Sequence, residues 1–406
     1  MASGSAEGQQ SVDCLRLEDI DIRHRDHHGT GHATQQSIYS QQLTEGIIRR
    51  AFADPRQVTD LVRNGADPDS EPRLRRRGSG ANGRAYRLLC LAIDNWSDNT
   101  MPIQAADSTG RLSPVVLPMW SSPELEAAIL NALIDGGADM NEPTFWDSQP
   151  IRMAIRGGNE SAMRVLLARG AAVRPPRGLP FRLVMELPRP IPDRVGHQVP
   201  MAYEQRLLSV YRRLIQHDAT LATEQDAGGY NLIHKAASDE LGRYSQAFID
   251  SYLDLLVDNG ANVTAVDAAD WTPLELAADA GSPCVIDYLG RHAPSSDINR
   301  GTPGDPNETP LYFAADRLDA SIALSQDPVD IGQHLRDRAT SKIPLYEASV
   351  RSLLRSGADV GQMPTDTELD RRRRDLVLPQ CTAVLNTDVH TGAMAASTPP
   401  LPLSGR

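Results

Sequence analysis

Lysine is nearly absent from this chain: of its 41 basic residues only Lys235 and Lys342 are lysines, and the rest are arginine. A GC-rich genome produces such a bias; so does selection against ubiquitin acceptors in a protein working beside, or delivered into, a ubiquitin system. Cysteine is scarce as well. Cys14, Cys90, Cys284 and Cys381 are scattered and form no Cys-x-x-Cys pair, which argues against a zinc site or a disulfide framework and fits a reducing compartment. No stretch approaches ~18 apolar residues, and the opening MASGSAEGQQSVD has no apolar core, so neither a membrane span nor a signal peptide is expected. The cytoplasm or nucleus is the expected location, and the glycosylation-type triplets at Asn159, Asn262 and Asn307 are read as chance. Net positive charge is missing too. The formal charge of −12 excludes a general nucleic-acid binder, which needs a basic face to displace counterions from phosphates.

What the chain does have is a recurring phrase: an apolar pair, two or three polar residues, then Gly-Ala-Asp or a near copy. It stands at residues 61–69, 133–141, 166–173, 255–263 and 353–360, with a decayed version at 214–221. Gly137 and Gly170 are 33 residues apart, as are Gly260 and Ala293. A repeated unit of about 33 residues cannot bury its apolar face alone and stacks on its neighbours. A second phrase alternates with the first. WTPLELAADAG begins at Trp271 and ETPLYFAAD at Glu308; YNLIHKAASD begins at Tyr230 and SQPIRMAIRGG at Ser148. Weaker versions are YRLLCLAI from Tyr86 and LPFRLVM from Leu179.

These paired phrases resemble the ankyrin-repeat family, whose unit opens on Thr-Pro-Leu-His-x-Ala. Glu275 and Tyr312 stand at the family's His position, and His234 keeps it, where the resemblance implies structural hydrogen bonding at a helix start. The letters have physical reasons. Thr and Pro start the first helix, Pro being harmless where its missing N–H has no partner. The small Ala pair lets neighbouring helices approach, the Leu pair fills the core (Leu255 among them), and the closing Gly takes a left-handed C-cap.

The resemblance covers residues 36–361, about four-fifths of the chain, and implies a mainly α ankyrin-repeat solenoid with short β-hairpin fingers. Seven units are expected: 36–69, 84–141, 142–173, 174–222, 223–263, 264–294 and 303–361. Extra residues fall at 94–122, 186–202, 238–246 and 316–343, between first and second helices. They read either as a row of loops on a functional edge or as tolerated drift, because loop lengthening costs only ~0.6 kcal/mol per doubling. Residues 1–35 are polar and aperiodic, and a disordered segment is expected there. The tail 362–406 is expected to be flexible.

Several features tempt a chemical reading. GSGANG at residues 78–83 satisfies G-x-G-x-x-G, but the arginine run at 73–77 before it reads as no strand, so a flexible loop is expected rather than a dinucleotide site. His24, His27, His28 and His32 lack an acidic or cysteine scaffold for a metal. The arginine clusters 73–77 and 371–374 read as solvated charge before they read as import signals. No nucleophile, base and acid stand at motif spacing, and there is neither H-E-x-x-H nor a P-loop. No catalysis, cofactor or metal is expected.

The function expected from the resemblance is partner binding through a concave groove lined by finger tips and first-helix starts. Registered on the Thr-Pro position, the third unit presents Phe145, Trp146 and Arg156. The fifth presents Tyr230 and Asp239, the sixth Trp271 and Asp279, and the seventh Asp305, Glu308 and Asp316. Aromatics beside acids suit another protein's basic segment with apolar anchors, bound by a monomer with no membrane or nucleic acid involved. Two alternatives stay open: a ubiquitin-ligase substrate adaptor, and a microbial effector delivered into a host cell.

Overall fold

The computed structural model describes residues 14–24, 35–97, 103–142, 149–174, 183–188, 198–238, 243–326 and 332–395. The fold is mainly helical at 56% helix, with fifteen α-helices and one small sheet among the described residues, so the mainly α expectation is met. Contacts divide the chain into two compact units: residues 1–193 with 199–221, and residues 222–406 with 194–198.

The first unit holds α1 (Gln35–Ile48), α2 (Pro55–Arg63), α3 (Leu88–Ala92), α4 (Pro123–Asp135), α5 (Pro150–Arg156), α6 (Glu160–Ala168) and α7 (Met201–His217). They form two rows: α1, α3 and α5 pack in succession, as do α2, α4 and α6, and α7 packs on both α5 and α6. The second unit holds α8 (Leu232–Ala237), α9 (Gln246–Val257), α10 (Pro273–Ala280), α11 (Pro283–His292), α12 (Ser295–Ile298), α13 (Pro310–Gln326), α14 (Gln333–Arg355) and α15 (Glu368–Ala395). There α8, α10 and α13 form one row and α9, α11 and α14 the other, with α15 laid on α13 and α14.

Local chemistry explains where these helices start and stop. Asp54 accepts the Arg56 amide at 2.8 Å just before Pro55. Ser122 accepts the Leu125 amide at 3.2 Å before Pro123. Each cap supplies an acceptor to an amide that has no partner within the helix, and proline loses nothing there. The closing phrase ends helices in one repeated way. Gly137 (φ 107°) donates to Ile134 O and Ala138 to Leu133 O; Gly260 (φ 94°) donates to Val257 O and Ala261 to Leu256 O. Only glycine takes that left-handed turn without cost, which is why it recurs in the phrase. The alanine pairs Ala236–Ala237, Ala277–Ala278 and Ala314–Ala315 are buried where first helices meet.

Several expectations are corrected. Residues 14–24 are not a disordered segment: β1 (Ile20–Arg23) pairs antiparallel with β2 (Arg73–Arg76), Ile20 opposite Arg76. The arginine run is therefore a strand, because Leu74 is fully buried while Arg75 pairs with Asp21 at 3.0 Å. β2 turns back into β3 (Arg84–Ala85), which makes GSGANG a hairpin loop with no helix behind it. The 94–122 insertion is no free loop either. It supplies β4 (Gln104–Ala106) and β5 (Leu112–Pro114), with order β1-β2-β4-β5 and a parallel β2/β4 pairing. Most of 316–343 lengthens α13 and α14 instead of forming a loop. Residues 368–395 are helical, started by a Thr367–Asp370 box (Asp370 N to Thr367 Oγ1, 3.0 Å) and seated by the buried Val377. Finally, the turns before α8 and α10 are single tight turns; all five named strands belong to the first unit's sheet. The 174–222 unit shows only its second helix, α7, among the described residues.

The apolar pair of the fifth phrase is split in role. Leu256 is fully buried beside Leu253, whereas Leu255 is only half-buried and is not the core residue its pattern implied. Leu256→Ala should therefore cost ~2–5 kcal/mol and Leu255→Ala about half of that or less. Urea unfolding of the two variants checks this; equal losses would mean the two leucines share the core equally.

Candidate functional site

In the second unit, two successive turns have the same construction and place an aromatic at the same point. Asp226 Oδ1 accepts the amides of Gly228 (2.9 Å) and Tyr230 (3.0 Å); Asp267 Oδ1 accepts those of Ala269 (2.8 Å) and Trp271 (3.0 Å). An aspartate closing such a turn on its own backbone is a local preference of that side chain. Gly229 and Asp270 hold the fourth position of each turn with φ of 78° and 63°. Tyr230 and Trp271 emerge half-buried from these turns. Trp271 lies 4.7 Å from the Phe313 ring, and Phe313 6.0 Å from Tyr312. Lys235 sits 4.7 Å over the Tyr230 ring and pairs with Asp226 at 2.5 Å. Burial, then a hydrogen bond with Asp267, pushes the Tyr230 hydroxyl up.

The residues at the third position of the first helices are structural. His234 receives the Asn231 amide on Nδ1 (3.2 Å) and reaches the Trp271 carbonyl with Nε2 (3.1 Å), tying one turn to the next. Burial lowers its pKa, keeping the ring neutral. Glu275 makes the same reciprocal cap from a carboxylate, accepting the Thr272 amide at 2.6 Å. Glu and His are interchangeable here because the position needs an acceptor reaching back to the cap amide.

The described groove acids are already engaged within the chain, two of them by arginines. Asp279 pairs with Arg317 at 2.7 Å. Asp316 pairs with Arg373 of α15, which also donates to Tyr312 Oη at 2.6 Å, and Arg372 pairs with Asp319 at 2.5 Å. Glu308 accepts from Thr302 Oγ1 at 2.9 Å, and Asp305 accepts the Asn307 amide at 2.8 Å. In the first unit Arg156 closes α5, its carbonyl accepting Tyr203 Oη at 2.6 Å. Phe145, Trp146 and Asp239 lie outside the described residues. The structure thus gathers Tyr230, Trp271, Glu308 and Asp316 in one unit with Phe313 and Tyr312, which the groove register did not name.

Sequence reasoning missed a buried polar cluster in the first unit. Arg50, at the end of α1, pairs with Asp94 at 3.0 Å, the two side chains being 3% and 2% exposed. Arg50 also donates to the carbonyls of Ile47 (2.6 Å) and Leu91 (2.8 Å) and lies 4.8 Å over Trp120. Asp94 accepts the Trp120 amide at 2.9 Å. Glu126 of α4, fully buried, accepts the Asp94 amide and Asn159 Nδ2, both at 2.7 Å, while its second oxygen has no partner. Asn159 in turn caps α6 through the Ala162 amide at 2.9 Å, so its triplet is occupied with structure. The ends of four helices, α1, α3, α4 and α6, from three successive pairs, meet in this cluster. The one signal in the sequence was the Asn159-x-x-Ala162 helix start; nothing local pairs it with Glu126.

Among the described residues no three His, Cys, Asp or Glu side chains gather to hold a metal ion, and His27, His28 and His32 lie outside them. Cys90 is fully buried, which raises its thiol far above the ordinary range and leaves it a poor nucleophile. Among the described residues no helix is long and apolar enough to cross a membrane. A scan against protein-family models finds no match to the chain, and a search of curated proteins finds none either.

Burial raises the Glu126 carboxyl from 4.5 to about 7. Below pH 4.5 the group is protonated whether the chain is folded or not. Between 4.5 and about 7 the unfolded chain releases the proton and the folded one keeps it, so stability falls as pH rises, by about 3 kcal/mol in all. Above 7 both states are ionised and the dependence stops. The stability difference between the wild type and Glu126→Gln should follow that slope in denaturation curves from pH 4.5 to 8. A flat difference would show that Glu126 is ionised throughout.

Proposed function

We propose that the chain is an ankyrin-like stack of helix pairs whose role is to recognise a partner protein, without catalysis. The helix pairs follow one another in chain order, and the same capped starts and glycine stops recur, which supports the stacked reading. The observation that carries the functional reading is the half-buried aromatic run of Trp271, Phe313 and Tyr312 in the second unit, with Tyr230 at the equivalent point of the preceding turn. Aromatics of this kind give large contact area at little entropic cost and dominate interface energetics. The acids beside them contribute less. A basic partner segment would have to displace Arg317 and Arg373 from Asp279 and Asp316, and exchanging one partly exposed ion pair for another is worth only ~0–1 kcal/mol. Apolar anchors on the partner therefore supply the affinity, and its basic residues supply orientation.

Replacing Tyr230 and Trp271 together by Ala should weaken partner binding by ~2 kcal/mol or more, about thirtyfold in Kd. Affinity capture with quantitative mass spectrometry, then calorimetry with the recovered partner, measures this. Circular dichroism shows whether the variant is folded. A folded double variant that binds the partner as tightly as the wild type would remove the aromatic row from the interface.

A further inference from the structure

Described residues of the 94–122 insertion line a pocket of about 230 Å³, open on one side at Val116 and Met119, against the ends of α1 and α3 and Met153 of α5. Its walls are apolar: Ile93, Ile103, Val115, Leu117, Met119 and Met153. Its floor is the Arg50–Asp94 pair. The floor's charges are paired with each other and with backbone groups. Arg50 is spent on Asp94 and on the carbonyls of Ile47, Leu91 and Ile93, and Asp94 on Arg50 and the Trp120 amide. At the rim, Ser97 Oγ is bonded to Asn95 Oδ1 at 2.7 Å. A buried water needs two to four polar partners, and this cavity offers it few. An apolar guest loses nothing there.

Size separates this pocket from a packing fault: protein cores keep few voids larger than a water molecule, whereas this one would hold several. Arg50, at its floor, takes φ 53° as the stop of α1, its amide donating to Ile47 O and that of Ala51 to Gly46 O, the same pattern that ends the glycine-stopped helices.

We propose that this cavity binds a small, uncharged, apolar molecule of up to roughly ten carbon atoms. The size follows from volume: a cavity of ~150 Å³ takes benzene, and drug-sized ligands begin near ~300 Å³. The absence of charge follows from the floor, where an ionic guest would be desolvated with no unpaired counter-charge to meet it. The site is separate from the aromatic row in the second unit and stands or falls without it.

The full-length protein is titrated with toluene and n-butylbenzene, and with benzoate and benzylamine as charged counterparts, using saturation-transfer NMR and thermal melting. Saturable binding of the uncharged pair is expected, with a rise in melting temperature, and binding of the charged pair at least tenfold weaker. Met119→Trp, at a wall residue 37% exposed, fills the space and should weaken butylbenzene binding at least tenfold. Ile103→Phe from another wall is the replacement if that variant fails to fold. The proposal is overturned if neither uncharged probe binds saturably, if benzoate binds as tightly as butylbenzene, or if the filled variant binds like the wild type.

Discussion

A helix of ten residues or fewer cannot hold its shape in water or bury its apolar side by itself, and eight of the fifteen described α-helices are that short. Everything else in the structure answers to that constraint. Each helix pair exposes an apolar face that only the next pair can cover, so the rows α1–α3–α5, α2–α4–α6, α8–α10–α13 and α9–α11–α14 form within their units. The last pair faces the same problem, and α15 meets it by laying Val377 on α13 and α14. That contact explains why a segment that reads as tail is helix.

Stacking by apolar area alone would leave the layers free to slide, because burial has no direction. Directional groups pin them. In the second unit His234 spans from its own helix start to the Trp271 carbonyl of the next turn. In the first unit Asn159 joins the start of α6 to Glu126 and to the Asp94 carbonyl. Buried charges of this kind are costly to desolvate and contribute little net stability, so register is the better account of Arg50, Asp94 and Glu126. Their cost is also what makes Glu126 titrate far above an ordinary carboxylate.

The two candidate sites arise from opposite uses of surplus chain. In the second unit the layers carry few described additions outside the lengthened α13–α14 pair, and two turns of like construction set Tyr230 and Trp271 at the same point. In the first unit the insertion folds back, pairs with the chain start through Leu15 and Val115, and walls a cavity against the stack. In the proposed readings a partner protein suits the first surface and a small molecule the second, since a surface offers area and a pocket offers fit.

What was legible in the sequence was local. Asp54-Pro55, Ser122-Pro123, Thr272-Pro273 and the glycines at 137 and 260 each state a backbone requirement within four residues, so the helix pairs and their limits could be read directly. The Thr367-x-x-Asp370 box before α15 was equally present, but the arginine run after it masked the signal. The aromatic positions Tyr230 and Trp271 followed from the same register. The arginine partners of Asp279 and Asp316 did not, because Arg317 lies 38 residues on from its aspartate and Arg373 57 from its own. Arg50 meets Asp94 across 44 residues, and Asn159 meets Glu126 across 33. Helix starts and stops were set by the sequence itself, because they depend on hydrogen bonds between near neighbours. The sheet, the ion pairs, the cavity and the C-terminal helix's seat were decided by tertiary structure, because each needs surfaces that exist only after distant layers have packed.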